Sequence, residues 1–207
     1  MNLCVLGATG RTGLHILKLA AADGHSVSAL LRDSSKLPVE LAGHIRTVIG
    51  SARSKGDLLS AMDGCDAVVS ALSTDGGDLL SEATPLIIEA MKETNISRII
   101  TIGTAGILNS RTEPHLLRYE SSESRRKLTR AASEHRTAYE MLQRSDLDWT
   151  IVCPTYLPDG PVTANYRVEA DRLPVDGTSI STGDTAHFAY TCLKDELFVG
   201  RRAGVAY

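Results

Sequence analysis

The first thirteen residues constrain this chain most. Leu3, Cys4, Val5 and Leu6 form a short apolar run that breaks into Gly7-Ala8-Thr9-Gly10-Arg11-Thr12-Gly13, and Leu14, Ile16, Leu17 and Leu19 then recur at helical spacing. The pattern reads as strand, tight turn and helix. Glycine at every third position suits three separate jobs. Gly7 adopts the angles of a sharp turn, Gly10 opens the main chain to a pyrophosphate, and Gly13 lets the new helix lie close to the strand. The unpaired N–H groups at the start of that helix then face an anion. Such a stretch implies a dinucleotide-binding turn, with a plain strand-to-helix connection as the competing reading. A Walker-type phosphate loop is excluded, because no Gly-Lys-Ser/Thr follows.

The same alternation continues downstream. Further strands are expected at 25–32, Ile45–Ile49, 66–72, 98–103 and 149–153, with helices at Lys55–Met62, through Met91 from a clean opening at Thr84-Pro85 or from an earlier start, and through Ala138 and Leu142. The tail adds a short strand at 165–169, a helix at 184–193 and a closing strand at 204–207. The run Ala67-Val68-Val69-Ser70-Ala71-Leu72 is apolar enough for a parallel strand buried on both faces. Together these imply an α/β fold of the Rossmann type: a doubly wound parallel sheet in one domain spanning 1–207, with a small C-terminal excursion and ligands at the carboxyl ends of the strands.

Composition narrows the partners. A formal charge of −3 with 23% charged residues gives no basic field for nucleic acid, and no apolar segment is long enough for a membrane span. A cytoplasmic protein is expected, acting on a small molecule as a monomer or weak homodimer. Cys4, Cys65, Cys153 and Cys192 are scattered singly, as free thiols would be, and the six histidines form no ligand-spaced cluster, so no metal is expected.

The end of the second strand bears on the choice of cofactor. An acidic residue there holds the ribose 2′-OH of NAD, whereas Arg accommodates the 2′-phosphate of NADP. Arg32 and Asp33 are adjacent, so both readings are open. Arg32, followed by Ser34, Ser35 and Lys36, favours NADPH. Residues 107–134 lose periodicity and gain charge, including Arg111, Arg118, Arg125, Arg126, Lys127 and Arg130. They read either as a solvated surface or as a lid over the substrate. The Tyr and Lys four residues apart that alcohol-oxidising relatives place after the fifth strand are missing there. Tyr190 and Lys194 have that spacing, but on the last helix, where a chance pair on an amphipathic surface is the expected reading.

The glycine turn, the segment Leu31-Arg32-Asp33-Ser34-Ser35-Lys36-Leu37-Pro38, the run from Asp159 to Tyr166 and Ile180-Ser181-Thr182-Gly183-Asp184 are similar to the atypical short-chain dehydrogenase/reductase group, an NmrA-like family. Within it the chain most resembles the branch of biliverdin reductase B and NADPH flavin reductases, over nearly its whole length. The resemblance implies hydride transfer from NADPH to a flavin, as substrate rather than tightly bound cofactor, or to a linear tetrapyrrole. It places Gly7, Thr9, Gly10, Arg11 and Thr12 on the pyrophosphate, Arg32 and Lys36 on the 2′-phosphate, and Ala71, Leu72 and Ser73 on the ribose and nicotinamide side. Ser51, Ala52 and Pro154 complete the expected cofactor contacts. Thr104 falls at the family's active-site hydroxyl, and Tyr156 replaces its histidine after the sixth strand. Ser51 stands where the family usually has Asp. Because Tyr does not titrate near neutrality as His does, tetrapyrrole reduction is weakened relative to flavin reduction. The same group also contains non-catalytic NADP(H)-binding redox sensors, the alternative reading.

Overall fold

The computed structural model describes residues 1–74, 76–124 and 128–207. Asp75, in the loop after the fourth strand, and Arg125, Arg126 and Lys127 of the charged segment lie outside the described residues. The first half runs β1 (Asn2–Leu6), α1 (Arg11–Ala22), β2 (Ser26–Leu31), α2 (Val39–Ala42), β3 (Ile45–Ile49), α3 (Lys55–Met62), β4 (Ala67–Ser70) and α4 (Leu79–Glu93). The second runs β5 (Arg98–Ile102), α5 (Arg130–Gln143), β6 (Asp148–Pro154), β7 (Arg167–Ala170), α6 (Thr182–Lys194) and β8 (Arg201–Ala206). Single 3₁₀ turns lie at Ser34–Lys36 and Ala105–Ile107.

The strands form one sheet in the order β3-β2-β1-β4-β5-β6-β8-β7, parallel except for β7, which runs antiparallel to β8 at the edge. Alternation along each strand divides the core in two. Leu3, Val5 and Val69 pack with α1 and α6 on one face, whereas Cys4, Leu6 and Val68 pack with α3, α4 and α5 on the other. Burial on both faces explains the unbroken apolar reading of β1 and β4. The order reverses between β1 and β4, so the loops after these two strands diverge and leave a crevice at their carboxyl ends.

Three local expectations are corrected. Helix α4 begins at Leu79 rather than at Thr84-Pro85, and carries Pro85 in its interior. Proline forfeits one backbone bond there; the Thr84 hydroxyl donates to the Leu80 carbonyl at 2.6 Å, in the turn just before it. Helix α5 starts at Arg130, so part of the charged segment is helical. The short helix α2 and the turn at Ser34–Lys36 were not expected from the apolar pattern; the turn is capped locally, Asp33 accepting from the Ser35 N–H at 2.9 Å.

Tyr190 and Lys194 turn out to be structural. Both donate to the same oxygen of Asp23, just past the end of α1, at 2.9 and 2.6 Å, and so tie α6 to α1 on the face away from the carboxyl edge.

Candidate functional site

The site grows from the glycine turn. Gly7 has φ +72°, and a Cβ there would lie 2.6 Å from the Ala71 carbonyl oxygen, so glycine is required both for the angle and for contact with the end of β4. A Cβ on Gly13 would lie 2.2 Å from the Gly7 oxygen, which is how closely α1 packs on the turn. At Gly10 only the Gly7 oxygen comes near, at 3.1 Å, leaving the space above the turn open. No side chain caps α1 at Gly10, and its first turn holds no acidic residue. The start of α1 thus offers N–H groups to an anion.

Beside this turn lies a cleft of about 250 Å³. Ten of the sequence-predicted cofactor residues line it: Gly7, Thr9, Gly10, Arg32, Lys36, Ser51, Ala52, Ala71, Leu72 and Ser73. Arg53 also lines it and went unnoticed in the sequence, because it lies in a loop that carries no motif; its Nε donates to Glu82. Asp33 lines the cleft too; its Oδ1 accepts from the Ser35 N–H and hydroxyl, at 2.9 and 2.7 Å, and these bonds hold its pKa below the usual carboxylate range. The Ser51 N–H donates to the Asp57 carboxylate of α3 at 2.9 Å.

Arg11, Thr12, Pro154, Thr104 and Tyr156 do not line the cleft. Arg11 reaches across to the loop after β6, donating to the Leu157 carbonyl at 3.1 Å and to Asp159 at 3.2 Å. Thr12 is buried in the first turn of α1, and Pro154 is buried at the end of β6. Thr104 follows β5 and caps the turn at Ala105–Ile107, accepting from the Gly106 N–H at 3.4 Å. Tyr156 is 62% exposed, and its carbonyl accepts from the Ile180 N–H.

In residues 109–124 the cations are paired internally. Arg111 bonds Glu169 and the Leu173 carbonyl, and Arg118 bonds Glu123 at 3.2 Å. From α5, Arg136 bonds Glu120 and Glu140, and Arg130 bonds Asp78. Glu123 is the hub. Burial alone would raise its pKa, but bonds from the Thr112 N–H, the Ser110 hydroxyl and the Arg111 N–H outweigh that and hold it at about 2. Arg202 in β8 joins this side from beneath. Buried, it bonds Asp171, the Ile107 carbonyl and Asn109, and it stacks 4.5 Å from the Tyr139 ring centre.

With this geometry in view, the comparison with known sequences is decisive: the profile of the NAD(P)H-binding family matches residues 7–196. The chain belongs to the NAD(P)H-binding family. YwnB of Bacillus subtilis (strain 168), an uncharacterized protein, is 28% identical over 204 residues, covering 95% of this chain and 92% of its own. A wide-type short-chain dehydrogenase/reductase from Veillonella parvula DSM 2008, solved in complex with NADP, superposes with a TM-score of 0.83 at 18% identity, over 100% of this chain and 94% of that one. ChuY, an anaerobillin reductase from Escherichia coli O157:H7, superposes with a TM-score of 0.82 at 21% identity, over 100% and 97%. At these identities the two structures share the fold. Among the described residues no helix is long and apolar enough to cross a membrane, and no group of three or more His, Cys, Asp or Glu side chains is placed to hold a metal.

Proposed function

We propose that this NAD(P)H-binding protein is an NADPH-dependent reductase that passes hydride to a flavin or to a similar planar acceptor such as a linear tetrapyrrole. The observation that carries the cofactor choice is the state of Asp33. One of its carboxylate oxygens, Oδ1, accepts twice from Ser35, and Arg32 and Lys36 line the cleft beside it. A carboxylate fixed on its own turn is a poor partner for a ribose 2′-OH, and two cations suit a 2′-phosphate. Bound in the cleft, the reduced nicotinamide would supply the hydride.

The chain's own residues then have mainly to position. The open space at Gly10 and the start of α1 receive the pyrophosphate, and Ala71, Leu72 and Ser73 wall the ribose and nicotinamide side. Thr104 and Tyr156, after β5 and β6, flank the acceptor, with the described residues of 107–134 as the lid over it. Stacking a planar acceptor at about 3–3.5 Å supplies much of the rate of such a transfer, so the absence of a Tyr–Lys pair after β5 is compatible with turnover. The anaerobillin reductase with this fold supports a tetrapyrrole among the acceptors.

The test is anaerobic oxidation of NADPH and of NADH with and without FMN. FMN-dependent oxidation that is faster with NADPH is expected. Replacing Arg32 and Lys36 together by Ala should lower the preference for NADPH at least about tenfold. Saturable NADPH binding with no turnover on flavin or tetrapyrrole would overturn the reductase reading in favour of a redox sensor.

A further inference from the structure

Between the sheet and helices α4 and α5, behind the ends of β4 and β5, lies a second and narrower cavity of about 20 Å³, room for a single water. Its walls are mostly apolar, including Ile87, Ile99, Leu142 and Ile151, and Leu72 is shared with the cofactor cleft. Five side chains bring polar atoms to it. Thr84 donates to the Leu80 carbonyl, and the Tyr139 hydroxyl accepts from Gln143. Ser70, Thr101 and His135 have no hydrogen-bond partner among the described residues, although Ser70 is only 4% exposed.

We propose that His135, with Ser70 and Thr101, holds one water in this cavity and relays a proton to the acceptor, so that the site takes acceptors that must be protonated as they are reduced. The proposal rests on the reductase reading above. Ser70 is buried, whereas Thr101 and His135 are half-buried; a water bonded to all three would satisfy the buried hydroxyl, which without a partner costs about 1–3 kcal/mol, while His135 keeps a side toward solvent. Of the three groups, only the imidazole can take a proton on one nitrogen while giving one from the other. Burial lowers its pKa to about 4, so the ring is neutral and free to relay at physiological pH. Among the described residues no charged side chain lines the cavity, and Tyr139 is the one other titratable group there. On the same helix, Glu134 is engaged by Ser81, and Arg136 by Glu120 and Glu140.

The step balances as follows. Hydride adds, with its electron pair, to a carbon of the conjugated acceptor. The displaced pair moves to the acceptor's nitrogen or oxygen, which takes a proton from the cavity water. That water regains a proton from one nitrogen of His135, and the other nitrogen takes one from bulk solvent. The sum is one hydride and one proton added to the acceptor, with oxidised dinucleotide as the other product. Flavin at alkaline pH needs no such relay, because reduced flavin leaves as its anion.

The test compares wild type with His135→Gln, which can still hold the water but cannot relay. With biliverdin as the linear tetrapyrrole, kcat should fall at least about tenfold, while the KM for NADPH and turnover of FMN at alkaline pH stay unchanged. A crystal structure with NADP⁺ should show a water bonded to His135 and to at least one of Ser70 and Thr101. A dry cavity overturns the proposal, as does a variant that loses both activities equally or loses neither. Wild type that reduces FMN but not biliverdin overturns the relay and leaves the reductase reading standing. Wild type that reduces neither overturns both.

Discussion

On the β1–β3 side of the carboxyl edge, Arg32 and Lys36 line an open cleft, and the turn is shaped by glycine backbone. On the β5–β8 side, Arg111, Arg118, Arg136 and Arg202 are each tied to a carboxylate of the chain itself. The two cations of the cleft and the four on the other side thus do different work: the first two line an open cleft, and the other four fix loops. The contrast teaches that a charged surface segment in this fold need not be a binding surface. Basic residues line a cleft in one place and tie loops and strands together in the other.

The largest expected break in this comparison is Gly7→Ala. The added methyl meets the Ala71 carbonyl at 2.6 Å while φ stays positive, so something in the backbone must move. A loss of roughly 3 kcal/mol is expected in urea unfolding, together with loss of measurable NADPH binding in a fluorescence titration. Unchanged binding would mean that the turn does not set the cofactor site.

Acid sharpens the comparison next. Glu123 has a folded pKa of about 2 against an ordinary 4.5, so its contribution is complete above about pH 4.5 and is lost as pH falls toward 2. The most that such a shift represents is about 3 kcal/mol. His135 acts in a separate window: its depressed pKa of about 4 means that stability falls as pH drops from 6.5 toward 4, where the unfolded chain binds the proton and the folded one resists it. Thermal unfolding from pH 7 to pH 3 should show both declines. Glu123→Gln should flatten only the lower one, and an unaltered lower limb would remove Glu123 as the hub.

The smallest effect concerns the contact that joins the two sides. Arg11 and Asp159 pair at 3.2 Å with 61% and 74% of their side chains exposed, a geometry that contributes under about 1 kcal/mol. Asp159→Asn should leave unfolding within about 0.5 kcal/mol of wild type. By releasing Arg11 toward the pyrophosphate it should tighten NADPH binding only a few-fold, as read by calorimetry. A large change in either would show that the two sides are coupled more strongly than their pairing suggests.

Much of the fold was legible because buried parallel strands leave an unbroken apolar trace. Helix α3, with Ser54 capping it and Asp63-Gly64 ending it, was read to the residue, and so was β3. What was missed depends on contacts distant in sequence or on capping within a single turn. Pro85 looked like a helix start because the partners of α4's first turns lie elsewhere: Ser81 is held by Glu134, and Asp78 by Arg130. Of the ten cleft residues, Gly7, Gly10, Arg32 and Lys36 were legible from the glycine turn and the end of the second strand, and most of the others from the family resemblance. His135 was not, since its significance lies in a cavity built from β4, β5, α4 and α5 together, and no spacing in the sequence announces that. Tyr190 and Lys194 are the converse case, a suggestive spacing that the fold spends on Asp23.

Arg202 has a consequence for how the molecule is made. Its bonds to the Ile107 carbonyl and to Asn109 span 95 and 93 residues, and it sits on the strand that joins β7 to the sheet. As the chain leaves the ribosome, β1 through β4 can pair as they emerge, each waiting only for a neighbour close behind it. The loops after β5 must wait until β8 is synthesised. Pairing of β1 through β4 can therefore begin early, while the β5–β8 side, and the α6 layer over α1, are completed last.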